Sequence, residues 1–153
     1  LNYTVKGICI GMKVTWNYTP PTNGGDTFTS IKKGSKATLK IVQDEKNGFV
    51  KELYIQKEPD IDNRTFEAQL QKTVEQLQIT YPFLSVKNKK NGTYLIDIPQ
   101  EKRLGHEEHF SKVAKAFLHY VDNKDMPEWE NENTLAKYYI TTTAVEMAKI
   151  GNK

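Results

Sequence analysis

At 153 residues the chain is sized for one domain with a single packed core. Its 37% hydrophobic and 27% charged residues are the balance of a folded, polar-surfaced protein and exclude intrinsic disorder. The net charge of +3 comes from 22 Lys and Arg scattered among 19 Asp and Glu, with no basic run interleaved with aromatics, so nucleic acid is not an expected partner.

The single cysteine, Cys9, rules out an intramolecular disulfide and any cysteine-based zinc cluster. No stretch reaches the roughly 18 apolar residues that span a bilayer, and the start has neither a charged n-region nor an apolar h-region, so a soluble protein without a membrane partner is expected. A strand-like run almost at Leu1 suggests a chain cut from something longer.

From Lys6 to Tyr18 the residues alternate. Ile8, Ile10, Met12, Val14, Trp16 and Tyr18 take one face, and Gly7, Cys9, Gly11, Lys13, Thr15 and Asn17 the other. This period of two predicts one long strand with an apolar core side and a small-residue side open to another chain or a ligand. Pro20, Pro21, Gly24 and Gly25 then mark a loop. Strands are predicted over 27–32, 36–43 and 49–56, joined by turns at Lys33-Gly34-Ser35 and Lys46-Asn47-Gly48 into an antiparallel meander.

Between Arg64 and Tyr81 the period becomes 3.6, with Phe66, Leu70, Val74, Leu77 and Tyr81 on one stripe, which predicts an amphipathic helix stopped by Pro82. A second hairpin is expected from 84–87 and 93–98 around Lys90-Asn91-Gly92. Two helices close the chain, over 106–122 with Phe110, Val113, Ala114, Phe117, Leu118 and Val121 on its stripe, and over 133–150. The expected fold class is α+β, an antiparallel sheet with helices packed on one face and the other face open for oligomer contact.

The densest cluster of titratable groups is Gly105-His106-Glu107-Glu108-His109, at a helix start where free N–H groups and the dipole favour anions. It suits a sugar hydroxyl, a carboxylate or a proton in transit; equally, His106 caps the apolar stripe above Phe110 while the other side chains are solvated. The histidines stand three apart, not four as in H-E-x-x-H, so no metal site is expected. Asp26, after the Gly-Gly loop, either offers a carboxylate at a cleft rim or stabilises a turn. Arg103, just before the histidine segment, completes the candidate substrate-binding set of His106, His109, Glu107, Asp26 and Arg103; no catalytic residue is assigned.

Other motifs carry less. Trp16 and Tyr18 fall on the apolar side of their strand and read as packing rather than a sugar platform. Lys137, Tyr138 and Tyr139 point apart on their helix, and Gly7-x-x-x-Gly11 is not a dinucleotide fingerprint, so no nicotinamide cofactor site is expected in this chain. The N-x-T triplets at Asn2, Asn17, Asn63 and Asn91 read as turn chemistry.

Met12-Lys-Val-Thr-Trp-Asn-Tyr18, Pro21, Gly25-Asp-Thr27, Ser30, Gly34-Ser-Lys-Ala37, Leu53-Tyr-Ile55, Gly105-His-Glu-Glu-His-Phe110, Pro127-Glu-Trp129 and Leu135-Ala-Lys-Tyr-Tyr139-Ile-Thr-Thr142 together resemble the C-terminal domain of bacterial oxidoreductases of the Gfo/Idh/MocA family. The resemblance runs nearly the whole chain and implies that residues 1–153 are one substrate-binding and oligomerisation domain. It also implies an absent N-terminal Rossmann domain carrying NAD(P), a small polar substrate such as a sugar or polyol, a homo-oligomer, and a cytoplasmic or periplasmic setting. The family's catalytic lysine, in a Glu-Lys-Pro motif, belongs to that other domain; Lys57-Glu58-Pro59 has a different order and place. Phe28 stands where the family pattern commonly has histidine after Asp-Thr, while His106 and His109 are retained. The rival expectations are a self-sufficient, non-redox module for a small ligand or protein, and a hydrolase using His106 or His109 with Glu107.

Overall fold

The computed structural model describes residues 1–15, 18–22 and 24–151. The chain is α+β, with a five-stranded antiparallel sheet, a separate hairpin and three α-helices. It divides into two compact units, Leu1–Tyr18 with Gly105–Lys153, and Thr19–Leu104.

In the first unit, β1 (Asn2–Val5) pairs antiparallel with β2 (Ile8–Gly11), so that Val5 faces Ile8 and Asn2 faces Gly11. The turn is Lys6-Gly7, both in the left-handed region at φ 49° and 79°. Two residues at positive φ match the right-handed twist of a hairpin, which is why the chain reverses here. The single strand expected over 6–18 is therefore corrected: it begins at Ile8, ends at Gly11, and has the residues before Lys6 as its partner. Its apolar side is not a covered core face either, since Ile8 and Val14 are exposed. Trp16 and Asn17, on which the aromatic platform and one N-x-T reading fell, lie outside the described residues.

Two helices complete this unit, α2 (His106–Asn123) and α3 (Glu128–Gly151). Between them the chain leaves α2 through Lys124 in the left-handed region, whose N–H donates to the Tyr120 carbonyl. α3 begins five residues earlier than expected because Pro127 opens it: the Glu130 N–H already donates to the Pro127 carbonyl, and proline suits a first turn that has no partner for its N–H.

In the second unit, β3 (Phe28–Lys33), β4 (Ala37–Gln43), β5 (Glu52–Lys57), β6 (Ser85–Asn88) and β7 (Thr93–Asp97) form the sheet in the order β3-β4-β5-β7-β6. The register stacks Ile41, Leu53, Ile96 and Val86 in one row and Leu39, Ile55 and Tyr94 in the next. Period-two alternation puts both rows on one face. Helix α1 (Asn63–Gln78), which ends three residues before the expected Tyr81, packs there through the first part of the stripe read from the sequence: Val74 is buried and the rings of Phe66 and Tyr94 lie 5.6 Å apart, while Leu77 and Tyr81 are exposed. The helix starts where the Asp62 carboxylate accepts from the Thr65 N–H at 2.7 Å, a bond that lowers the Asp62 pKa.

The opposite face is polar, with Lys40, Tyr54 and Lys87 in register around Leu95. Two tyrosines mark the two faces. Burial, and then the bond its hydroxyl donates to Glu67 Oε1 at 2.8 Å, push Tyr94 up to about 12. The bond from Tyr54 to Glu52 Oε2 at 2.6 Å, reinforced by burial, likewise pushes Tyr54 up to about 12. A phenol whose pKa is higher folded than unfolded stabilises the fold fully below the unfolded value, near 10.0, and loses that contribution as pH rises through the folded one. The urea midpoint is therefore expected to fall between pH 10 and 12 and to hold steady from neutral pH up to that window. In the Tyr54→Phe, Tyr94→Phe double variant, the fall should be much reduced; an unchanged profile would assign it to other groups.

Candidate functional site

The first turn of α2 carries His106, Glu107 and His109 as expected, all exposed. Gly105 is the N-cap, with φ −74° and ψ 175°, and its N–H donates to Glu108 Oε2 at 2.8 Å, while the His109 N–H donates to the Gly105 carbonyl at 3.1 Å. Glu108 thus holds the helix start as half of a capping box. His106 sits edge-on to Phe110 with ring centroids 4.8 Å apart. Its ring therefore has a fixed direction at the head of the apolar stripe, and both readings of His106 meet in one geometry: it packs on Phe110 and still presents polar nitrogens at the helix start.

Asp26 and Arg103 belong to the other unit. Asp26 is exposed in the loop before β3. The Arg103 guanidinium is committed to backbone, with Nε donating to the Ile98 carbonyl at 3.0 Å and Nη1 to the Lys51 carbonyl. Those bonds tie the segment after β7 to the start of β5, a structural use that leaves part of the donor fork for a ligand. Phe28, where the resemblance leads one to expect histidine, takes the Lys51 ammonium over its ring at 5.1 Å.

Lys57 is 8% exposed, with its Nζ donating to the carbonyls of Glu58, at 2.9 Å, and of Ile61. Its ammonium is built into the β5–α1 connection. Two features went unmarked in the sequence. The first is a cleft of about 390 Å³ on the polar sheet face, lined by Val42, Asp44, Lys46, Asn47, Glu52, Tyr54 and Lys89. Its acids and amides are largely spent internally, because Asp44 caps the Glu45–Asn47 turn, Asn47 donates to the Val42 carbonyl and Glu52 holds Tyr54. The second is His119, whose Nε2 lies 3.1 Å from Asp125 Oδ2 and whose Nδ1 lies 3.0 Å from Asn123 Nδ2. The Nε2–H tautomer satisfies both contacts, donating to Asp125 and accepting from Asn123, and fastens the turn out of α2. The spacing of His119, Asn123 and Asp125 in sequence was the available signal.

Among the described residues no group of three or more His, Cys, Asp or Glu is arranged for a metal, and no helix is long and apolar enough to cross a membrane. The helix starts do not fit a dinucleotide. A pyrophosphate needs free N–H groups and no competing anion, yet Asp62 occupies the start of α1, Glu108 holds the N-cap of α2, and Glu128 and Glu130 crowd the first turn of α3.

A structure described as a putative oxidoreductase from Parabacteroides merdae ATCC 43184 is 39% identical to this chain, with a TM-score of 0.92, over 97% of this chain. The match spans only 34% of that protein, so this chain has about a third of its length. Among curated proteins none matches. The family described as "Putative oxidoreductase C terminal domain" matches residues 1–149, and the chain belongs to that family.

Proposed function

We propose that this domain is the substrate-binding and oligomerisation part of an NAD(P)-dependent oxidoreductase of the Gfo/Idh/MocA type, acting on a sugar, polyol or derivative. The observation that carries this reading is the family match along nearly the whole chain. In this reading His106, Glu107 and His109 line the substrate cleft at the start of α2. The imidazoles donate to or accept from substrate hydroxyls. The small residues Cys9 and Gly11 of β2 serve the contact between subunits.

The test is titration of NAD(H) and NADP(H) against the full-length protein and against residues 1–153. Saturable binding to the full-length protein alone, at least about 100-fold tighter than to the fragment, is expected, a difference of about 2.8 kcal/mol. His106→Ala in the full-length protein should leave nucleotide affinity unchanged and weaken polyol binding about tenfold. Equal nucleotide binding by the fragment, or none by either protein, would replace this reading with a non-redox binding module.

A further inference from the structure

Three Asn-Gly pairs stand in the chain, Asn23-Gly24, Asn47-Gly48 and Asn91-Gly92. Such a pair loses its side-chain amide without an enzyme. The glycine nitrogen, once its proton passes to hydroxide, attacks the asparagine Cγ; the Cγ–Nδ2 bond breaks, and ammonia leaves with a proton from water. Water then opens the cyclic imide at either carbonyl, giving aspartate or its isomer with an extra main-chain carbon. One water is taken up and one ammonia lost, with no oxidant. The step needs an unobstructed N–H, which a residue without a side chain offers, and an amide free to turn towards it.

The pairs differ in that freedom. Asn47 Oδ1 accepts from the Asp44 N–H at 2.8 Å, its Nδ2 donates to the Val42 carbonyl at 2.9 Å, and the Gly48 N–H donates to the Glu45 carbonyl at 3.2 Å. The Gly24 N–H donates to the Pro21 carbonyl at 2.7 Å, while Asn23 lies outside the described residues. Between β6 and β7, Asn91 is exposed at φ 50° and is followed by Gly92 at φ 70°. Among the described residues neither the Asn91 side chain nor the Gly92 N–H has a hydrogen-bond partner, and the peptide joining them is held by one bond, from Gln56 Nε2 to the Asn91 carbonyl at 3.1 Å.

We propose that Asn91 is a modification site of the folded protein, converting to aspartate and isoaspartate while the fold protects Asn47. Three bonds oppose ring closure at Asn47 against one at Asn91, and at about fivefold per bond the two additional ones set a rate ratio of about 30. The product has a consequence for the sheet. The iso form lengthens the main chain just before Gly92, whose carbonyl accepts from the Lys57 N–H at 2.8 Å, so conversion loosens the end of β5.

The experiment ages the full-length protein at mildly alkaline pH in isotopically labelled water, which marks conversion that precedes digestion, and reads the three peptides by mass spectrometry. In the folded protein Asn91 is expected to convert about 30-fold faster than Asn47. In urea the two rates should agree within about threefold, because the dipeptide is the same and the fold is gone. Gln56→Leu, which frees the Asn91 carbonyl, should raise the Asn91 rate about fivefold and leave Asn47 unchanged. Equal rates at the two sites in the folded protein, a ratio that persists in urea, or a folded Asn91 that stays intact while the urea sample converts would each overturn the proposal. In the converted fraction the Lys57 amide should exchange faster, and unchanged exchange would remove the effect on β5.

Discussion

Tyr94→Ala is expected to lower the unfolding free energy by about 3–5 kcal/mol, the range for deleting a large buried ring. The side chain is 3% exposed, in register with Ile55, and 5.6 Å from the Phe66 ring. It is therefore the residue through which the sheet holds α1. Its hydroxyl bond to the Glu67 carboxylate contributes less, about 1.5 kcal/mol net, the low end for a charged acceptor because Glu67 is exposed, so Tyr94→Phe should retain more than half of what Tyr94→Ala loses. Urea unfolding of the two variants measures the ratio of packing to hydrogen bond directly. A loss below about 1.5 kcal/mol for Tyr94→Ala would mean that α1 is anchored elsewhere, with Val74 the next candidate.

The sheet unit was legible because its signals were local and redundant. The alternation of Leu39 with Ile41 and of Leu53 with Ile55, bounded by glycine turns, marked β4 and β5 to within a few residues. The stripe from Phe66 to Val74 marked α1 and the face it buries. The N-terminal hairpin was not legible because Lys6-Gly7 is a weaker turn signal than Asn-Gly, and because alternation continued through it into residues 12–15, which form no strand. A period of two states which side a residue takes, not where the strand begins. Pro127 carries no local sign of opening a helix instead of ending one, so α3 starts five residues before its apolar spacing alone would put it.

The candidate site was legible in part. Residue type and helix position sufficed to pick out His106, Glu107 and His109 and to put them on the first turn of α2. What spacing cannot give is which polar groups the backbone has already claimed. Arg103 lends two of its donors to the carbonyls of Ile98 and Lys51, and Glu108 gives its carboxylate to Gly105, contacts between residues far apart or set by a cap. The family resemblance came from the order of many short patterns, none of which carries chemistry alone.

Lys57→Met is expected to cost about 2–3 kcal/mol, in spite of matching the side chain's length and adding apolar surface. A buried ammonium is expensive, and replacing a complete ion pair by apolar residues is often neutral. Here, however, the partners of Nζ are the main-chain carbonyls of Glu58 and Ile61, which no substitution at position 57 removes. Losing the donor leaves acceptors without their charged hydrogen bonds, worth about 1.5–3 kcal/mol. Thr38 and Glu58 add to the stake, because the Thr38 hydroxyl donates to Glu58 Oε1 at 2.9 Å and so reads the same loop from β4. Urea unfolding gives the magnitude, and amide exchange over residues 58–65 gives the place: faster exchange there, with β4 unchanged, is the expected pattern. A variant as stable as the parent would mean that water satisfies both carbonyls once the ammonium is gone. Lys57 would then be a tolerated burial rather than the brace between β5 and α1.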